Sequence, residues 1–259
     1  MNSTRAITYL SPPAEVSMAD RWFEIATVDH FWIRRRFEVF QHLASGLVAS
    51  AREIAEIGCG NGLLQLQIEK AYGREVAGFD LNEVALKQNL SQRSPIHCYD
   101  IYQRDPALQG KFDLIFLFDV LEHISDEDGF LGALLFHLAP GGILAVNVPA
   151  GMWAYSEYDV AAGHVRRYSI RTLRETAKRN HLEIKDCSYW GLTLVPTLVL
   201  RKLWLLGQHD KDKVISTGFD SRNNFINEML GLVSRCEPIP QTFLGTSLMA
   251  ILKVGRDAG

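Results

Sequence analysis

Short apolar runs alternate with stretches of helical periodicity along the first 150 residues of the chain. Each run is bounded by glycine, aspartate or other turn residues, and the runs cover 54–57, 75–79, 96–99, 112–118 and 143–148. An apolar run of this length is typical of a strand that is buried on both faces of a sheet. Strands that alternate with helices predict a doubly wound, Rossmann-like α/β fold, in which a ligand binds at the carboxyl ends of the strands.

The pattern changes after residue 150, where a polar and aromatic loop replaces the regular alternation. We predict one domain over 1–259, because the length suits a single α/β core with insertions. Its sheet should be mostly parallel and seven-stranded, with helices on both faces and an α-helical insertion late in the chain. The predicted parts are a helical lead-in over 1–50 and a ligand-binding core over 51–150. They are followed by a loop with the helical insertion over 151–245 and a terminal strand over 246–259.

Composition and charge narrow the class of protein. The chain is 47% hydrophobic and 22% charged, which is ordinary for a globular protein and excludes a largely disordered or fibrous one. The net charge of -3 disfavours a nucleic-acid partner.

The cysteines and the apolar stretches bear on the compartment. Cys59, Cys98, Cys187 and Cys236 are widely spaced, so neither disulfides nor a zinc site is indicated, and we expect no metal. The segment MNSTRAITYLSPPAEVS lacks the apolar run of a secretion signal, and no stretch reaches the ~18 apolar residues of a transmembrane helix. These features predict a cytoplasmic protein.

Glycines follow the first predicted core strand in the sequence EIGCGNG at 56–62. Glycines at this point allow a sharp turn from strand to helix and a close approach of the backbone to a ligand. A tight turn without a ligand is the alternative. The dinucleotide fingerprint requires glycine or alanine at position 63, where Leu63 stands, so a nicotinamide oxidoreductase is disfavoured.

Acidic residues end three successive strands: Asp80, Asp100 and Asp119. Asp80 follows the glycines by about twenty residues, where a carboxylate can accept both hydroxyl hydrogens of a ribose. A helix cap is the alternative role for Asp80. Because the glycine loop contains no lysine or arginine and carboxylates repel phosphates, the pattern favours a nucleoside over a polyphosphate.

Residues 50–150 resemble the class I S-adenosylmethionine-dependent methyltransferases. The matching motifs are EIGCGNG, VAGFD, the Asp100 region, and FDVLEHI followed by LAPGGILAVNVP. The resemblance implies S-adenosylmethionine as cofactor, with the glycine loop on its methionine part, Asp80 on the ribose, and Asp100 on the adenine. The cofactor-binding residues that it implies are Glu56, Gly58, Cys59, Gly60, Asp80, Leu81, Asp100, Ile101, Asp119, Val120 and His123.

A narrower resemblance covers the segments HFWIRRR, SEYDVAAGHVRRYS and LGTSLMAILKV. These are similar to segments of a bacterial group of small-molecule-type methyltransferases that share no single substrate. The resemblance therefore implies the chemistry and leaves the acceptor open.

The acceptor side is predicted in the loop after the fifth strand, which contains a histidine and two arginines. A histidine near neutrality can deprotonate a hydroxyl group. We predict His164 and His123 as catalytic residues, and as substrate-binding residues Trp153, Tyr158, Arg166, Arg167 and Tyr168. The alternatives are that the arginines pair with Glu157 or Asp159, that His164 orders the loop, and that His123 supports the cofactor.

The predicted activity is methyl transfer to a small or lipid-linked organic acceptor, with oxygen favoured over nitrogen. A methyltransferase that acts on a macromolecule, or an inactive cofactor-binding module, is the alternative. The apolar segment 191–206 is too short to span a bilayer. It could pack on the core, act as a lid or homodimer contact, or lie on a membrane, and we expect it to cover the acceptor side of the cleft.

Overall fold

An eight-stranded sheet is the centre of the computed structural model, which describes residues 6–14, 16, 27–207, 214 and 224–255. The strands are β1 (Thr8–Tyr9), β2 (Ile54–Ile57), β3 (Ala77–Asp80), β4 (Ile96–Cys98), β5 (Phe112–Phe118), β6 (Leu138–Pro149), β7 (Leu182–Trp190) and β8 (Ser247–Val254). Their order across the sheet is β1-β4-β3-β2-β5-β6-β8-β7. Strand β8 runs antiparallel to both of its neighbours, and the other pairs are parallel.

This architecture confirms the predicted α/β class and the mostly parallel sheet. The strand count differs by one, because Thr8–Tyr9 pairs with His97–Cys98 at the edge of the sheet. Two residues are too few to produce a periodic pattern, so the sequence of this segment predicts only a loop. The division of the chain at residues 50, 150 and 245 stays a prediction.

Helices cover both faces of the sheet. They are α1 (Phe31–Ser50), α2 (Leu63–Tyr72), α3 (Glu83–Lys87), α4 (Glu127–His137), α5 (Glu157–Ala162), α6 (Ile170–Arg179), α7 (Val195–Trp204) and α8 (Asn224–Ser234). The side-chain amide oxygen of Asn82 accepts from the backbone N–H groups of Val84 and Ala85 and so caps the N-terminus of α3.

Alternate side chains of β5 enter two separate cores. Ile115 and Leu117 belong to the core on one face, and Phe116 and Phe118 belong to the core on the other. On that second face the ring of Phe40 meets the ring of Phe116 edge to face, with 5.0 Å between centroids. Because both faces of β5 are buried, the strand is apolar at every position except Asp113 rather than alternating, as the sequence indicates.

The apolar segment 191–206 does not pack into the sheet core. Within α7 the side chains are half-buried or exposed, and Trp204 is 75% exposed. The contacts of this segment with the loop after β6 include Leu205, which packs with Tyr158, and Lys202, whose Nζ donates to the carbonyl of Trp153 at 2.5 Å. The backbone N–H groups of Gly191 and Leu192 donate to Glu237. The hypothesis of a core helix is therefore not supported, and the segment lies beside the loop that follows β6.

Among the residues that the structure describes, no helix is both long and apolar enough to cross a membrane. Residues 208–213 and 215–223 of the predicted insertion lie outside the described residues.

Candidate active site

A cavity of about 280 Å³ lies at the carboxyl ends of β2, β3 and β5. This is the edge of the sheet where the doubly wound pattern predicts a ligand. The cavity is lined by eight of the predicted cofactor residues, which are Glu56, Gly58, Cys59, Gly60, Asp80, Asp119, Val120 and His123. Its other lining residues are Val16, Ile33, Arg36, Asn61, Leu63, Leu64, Asn82, Phe118 and Ile124.

The turn from β2 into α2 forms the floor of the cavity and depends on glycine. Gly58 and Gly60 have φ values of 74° and 53°, in the left-handed region that favours glycine. A Cβ atom at Gly58 would also lie only 2.3 Å from Cγ2 of Val120. The turn therefore packs its backbone directly against the segment that follows β5.

Asp80 is held in a fixed orientation at the end of β3. Its Oδ2 accepts from the backbone N–H of Gly60 at 2.7 Å, and its Oδ1 accepts from that of Asn82 at 2.8 Å. Burial raises the pKa of Asp80, and the two backbone hydrogen bonds act against this rise. Each carboxylate oxygen can accept a second hydrogen bond, so this group can also bind vicinal hydroxyls in the cavity.

Glu56 is buried beneath the glycine turn. Burial raises the pKa of Glu56 to about 8, the charge of Arg36 opposes the rise, and the charges of Asp80 and Asp119 add to it. Among the described residues, Oε2 of Glu56 has no hydrogen-bond partner. Burial therefore favours the carboxylic acid form of this group over the carboxylate.

Arg36 reaches the cavity from α1, and the sequence analysis missed it. Its guanidinium forms an ion pair with Asp119 and lies 5.2 Å from the ring centroids of Trp32 and of Phe118. Arg36 is only 7% exposed, although Arg34, two positions earlier, is paired with Glu228 at the surface. The HFWIRRR motif therefore places one cation inside the site.

Asp119 connects the cavity to the sheet through Asn147. Its Oδ1 accepts from Nδ2 of Asn147 at 2.6 Å, and Oδ1 of Asn147 accepts from Nε1 of Trp190 at 2.9 Å. Asp119 has φ of 58°, which is uncommon for a residue other than glycine and is adopted more often by aspartate than by most residues. Asn147 is the second residue that the sequence analysis missed, because its role depends on the neighbouring strand.

The three remaining predicted cofactor residues do not line the cavity within the described structure. The carboxylate of Asp100 accepts from the backbone N–H of Tyr102 at 3.0 Å, and the Ile101 side chain is buried in the sheet core. The carbonyl of Leu81 accepts from the backbone N–H of Ala14 at 3.2 Å. Their predicted roles beside an adenine stay predictions.

A second group of polar side chains stands at the edge of the cavity. The rings of His123 and His164 meet edge to face, with 4.9 Å between their centroids. Nδ1 of His164 lies 2.8 Å from Oδ1 of Asp159, and its Nε2 lies 4.0 Å from Oε1 of Glu122. The structure therefore brings together the two predicted catalytic histidines, although 41 positions separate them in the chain. We call Glu122, His123 and His164 the Glu–His–His cluster.

The electrostatics of this group follow from burial. Burial and the neighbouring His164 lower the pKa of His123 to about 4, so its imidazole is neutral. Burial and the charge of Asp119 raise the pKa of Glu122 well above its usual range. Burial also acts to raise the pKa of Asp159. The hydrogen bond from His164 and the charge of Arg167 outweigh this effect and hold the pKa below its ordinary value.

Arg167 and Tyr168, which were predicted to bind substrate, are buried within the loop. Nε of Arg167 donates to Asp159 at 2.7 Å. This is the ion pair with Asp159 that was given as the alternative to substrate binding. The hydroxyl of Tyr168 donates to Glu127 and to the carbonyl of Leu121. Their polar groups are therefore already bound inside the loop, and their predicted contacts with a substrate stay predictions.

The other predicted substrate residues are more accessible or lie beside α7. Arg166 is partly exposed and pairs with Glu127 at 3.4 Å rather than with Glu157 or Asp159. Trp153 is exposed, and the buried ring of Tyr158 lies 4.0 Å from the guanidinium carbon of Arg201. Their predicted contacts with a substrate stay predictions.

The cavity suits a nucleoside that carries charged groups at one end. Asp80 offers a carboxylate for hydroxyls, whereas Arg36 and Asp119 offer one charge of each sign at the β5 side. The unpartnered oxygen of Glu56 lies under the same turn. This donor set fits the ribose and the zwitterionic methionine of S-adenosylmethionine.

Comparison with known families agrees with this geometry. Residues 16–186 match the family model of a methyltransferase domain. The chain is 29% identical over 136 residues to a ubiquinone biosynthesis O-methyltransferase from Bradyrhizobium sp.. It is 33% identical over 100 residues to a trans-aconitate 2-methyltransferase from Deinococcus radiodurans. The first match covers 50% of this chain and 53% of the relative, and the second covers 38% of each. The chain therefore spans about half the length of these relatives or less.

Solved structures share the fold at low sequence identity. A methyltransferase from Thermotoga maritima aligns with a TM-score of 0.56 at 15% identity, over 91% of this chain and 94% of its own. One from Archaeoglobus fulgidus aligns with a TM-score of 0.52 at 17% identity, over 85% and 94%. The match to the family model covers most of the chain and includes the whole glycine turn and the segment after β5. The chain belongs to the class I S-adenosylmethionine-dependent methyltransferases, and S-adenosylmethionine is its cofactor.

Proposed function

We propose that the enzyme methylates an oxygen atom of a small or lipid-linked organic acceptor, which binds between the cofactor cavity and the Glu–His–His cluster. One observation carries this proposal. His123 lines the cavity and also contacts His164, so the cluster begins where the cofactor site ends.

The cavity residues give a consistent set of roles for the cofactor. We assign the ribose hydroxyls to Asp80 and the methionine end to the turn at Gly58 and Gly60. Arg36 is the cation for the methionine carboxylate, and Asp119 is the anion for its ammonium group. The existing ion pair between Arg36 and Asp119 holds both groups at the same end of the cavity.

The reaction itself requires little covalent assistance. The bond between sulfur and the methyl carbon breaks, and its electron pair stays on sulfur to give S-adenosylhomocysteine. A lone pair of the acceptor oxygen forms the new bond to carbon, and the hydroxyl proton leaves to the cluster. In-line positioning supplies much of the acceleration, and removal of the proton adds to it.

The Glu–His–His cluster contains an imidazole nitrogen that can accept the proton of the acceptor hydroxyl. Asp159 holds Nδ1 of His164, so the polar atom of the imidazole that remains available is Nε2. The backbone N–H of Val165 also donates to the carbonyl of Glu122 at 2.8 Å, which fixes the loop against the segment after β5. The loop after β6 and the segment after β5 are therefore held in a fixed position relative to each other.

The exposed apolar side chains of α7 support the lipid-linked class of acceptor. Leu200 and Trp204 are exposed on α7. This helix is held beside the loop by a hydrogen bond from Nζ of Lys202 to the carbonyl of Trp153. A basic and apolar helix next to an acceptor loop suits an amphipathic substrate or a membrane surface. A homodimer contact through the same helix is the alternative use of this surface.

The experiment that tests this function is a transfer assay with S-adenosylmethionine that carries a tritiated methyl group. The enzyme is incubated with a cell extract, and the extract is then separated into organic-soluble, small aqueous and macromolecular fractions. The proposal predicts label in the organic-soluble or small aqueous fraction. The labelled group should be a methyl ether, which resists alkali and acid, or a methyl ester.

Asp80→Ala is the control variant, which should transfer much less label at the same cofactor concentration. Label in the macromolecular fraction would replace the proposal with a macromolecule-modifying enzyme. No transfer to any fraction, together with tight cofactor binding, would indicate a binding module. Label on nitrogen would contradict the assignment to oxygen.

A further inference from the structure

The Glu–His–His cluster has the composition and spacing of a metal site. Glu122, His123 and His164 each offer one ligand atom, and the three atoms lie within 4.8 Å of one another. Two imidazole nitrogens and one carboxylate oxygen form a donor set that zinc and the divalent ions of the first transition series prefer.

Two buried atoms of this cluster lack the partners that burial normally requires. Within the part of the chain that the structure describes, Oε2 of Glu122 and Nδ1 of His123 have no hydrogen-bond partner. Glu122 is only 1% exposed. Buried polar groups without partners cost free energy, and such groups in a native structure often indicate an ion or another ligand that is not shown.

We propose that a divalent transition-metal ion or zinc binds Glu122, His123 and His164 on the acceptor side of the cofactor cavity. Three protein ligands leave at least one coordination position open. This inference rests on the proposed function and refines it, because it makes His164 a ligand and assigns the activation of the hydroxyl to the cation.

The surroundings of His164 match those of a metal-bound histidine. Oδ1 of Asp159 lies 2.8 Å from Nδ1 of His164, and Nε of Arg167 donates to the same oxygen at 2.7 Å. A carboxylate on the far nitrogen fixes the tautomer in which Nε2 carries the lone pair, as is usual for histidines that bind metals. Arg167 in turn fixes the carboxylate, so Asp159 and Arg167 are positioning residues.

A cation at this position would have a direct use in the reaction. An acceptor oxygen at the open coordination position would have a lower pKa, so its proton would pass more readily to water near neutral pH. The cysteine pattern and the absence of short ligand spacings led the sequence analysis to expect no metal. The site depends instead on the contact between the segment after β5 and the loop after β6.

The test measures metal binding directly and does not depend on activity. The full chain, with any affinity tag removed, is dialysed against a chelator and then against Zn²⁺, Mn²⁺ or Co²⁺ alone, and bound metal is measured by mass spectrometry. The inference predicts one equivalent for at least one of these ions, and absorption bands of a nitrogen- and oxygen-ligated site with Co²⁺.

Variants identify the site. Glu122→Gln and His164→Asn should each weaken metal binding at least about tenfold, and Asp159→Asn should weaken it about ten- to hundredfold through loss of the orienting carboxylate. His42→Asn, on the exposed side of α1, should bind metal as the wild type does. S-adenosylhomocysteine affinity reports whether each variant is folded.

The outcomes separate this inference from the proposed function. Absence of bound metal in the wild type, or equal binding by the wild type and the folded Glu122→Gln and His164→Asn variants, overturns the metal site. Methyl transfer at full rate by the metal-free enzyme also overturns the role of the cation but leaves the proposed function intact. Metal binding without any methyl transfer would support the site and contradict the function.

Discussion

The carboxylate of Asp159 lies 2.8 Å from Nδ1 of His164 and holds this imidazole by the nitrogen that faces away from Glu122. The polar atom that faces Glu122 is therefore Nε2, at 4.0 Å from Oε1. In the proposed mechanism, this arrangement gives the loop after β6 a chemical role next to the cofactor cavity. It predicts that His164 affects turnover and not cofactor binding.

His164→Ala should lower the turnover of an acceptor hydroxyl by about 10²–10⁴-fold, which is the usual range for loss of proton transfer. The affinity for S-adenosylhomocysteine should change little, because His164 does not line the cofactor cavity. Steady-state kinetics and calorimetry on the same preparations measure the two effects. His42→Ala is the matched control, and an equal loss of cofactor affinity and turnover in His164→Ala would indicate a purely structural role.

Asp80→Ala should weaken S-adenosylmethionine binding about ten- to hundredfold, because hydrogen bonds to a charged group contribute ~1.5–3 kcal/mol. Calorimetry with the folded variant measures this. Asp105→Ala removes a carboxylate that caps a short helix outside the cavity, and it should leave the affinity unchanged. Unchanged affinity in Asp80→Ala would remove Asp80 from the ribose site.

Arg36→Met should weaken binding of S-adenosylhomocysteine by a similar ten- to hundredfold, because the variant keeps the apolar stem and loses the cation for the methionine carboxylate. Binding of 5′-methylthioadenosine, which lacks that carboxylate, should be affected much less. The matched control is Arg34→Met, which removes the surface pair with Glu228. Equal loss for both ligands would show that Arg36 only supports the fold.

Glu56→Gln should make the stability of the protein less dependent on pH. Because burial raises the pKa of Glu56 from 4.5 when unfolded to about 8, the proton on Glu56 favours the folded state. This contribution is fully present below pH 4.5 and is lost as the pH rises through 8. Urea unfolding at several pH values should show the wild type losing a few kcal/mol relative to Glu56→Gln across this window. Parallel pH profiles for the two proteins would contradict the buried acid.

The sequence predicts most of the fold because its strongest signals are local. The apolar run of β5 and the glycines at 58–62 each depend on neighbouring residues, and both occur in the structure as expected. β1 was missed because it consists of only two residues and is defined by its pairing with β4.

The candidate site was predicted less completely, because several of its residues meet only through tertiary contacts. Arg36 enters the cavity from a helix, and Asn147 reaches Asp119 from the neighbouring strand β6. Arg167 was predicted from its charge to face a substrate, whereas its pairing with Asp159 depends on how the loop folds back on itself. Charge and residue type alone do not determine which of two adjacent arginines is buried.

The most direct test of the account is the position of the cofactor sulfur in a crystal structure with S-adenosylhomocysteine. We expect the ribose on Asp80, the amino acid end at Arg36 and Asp119, and the sulfur beside His123. Space for an acceptor should then remain between the sulfur and Nε2 of His164. A sulfur that faces away from His123, or that is separated from His164 by packed protein, would contradict it.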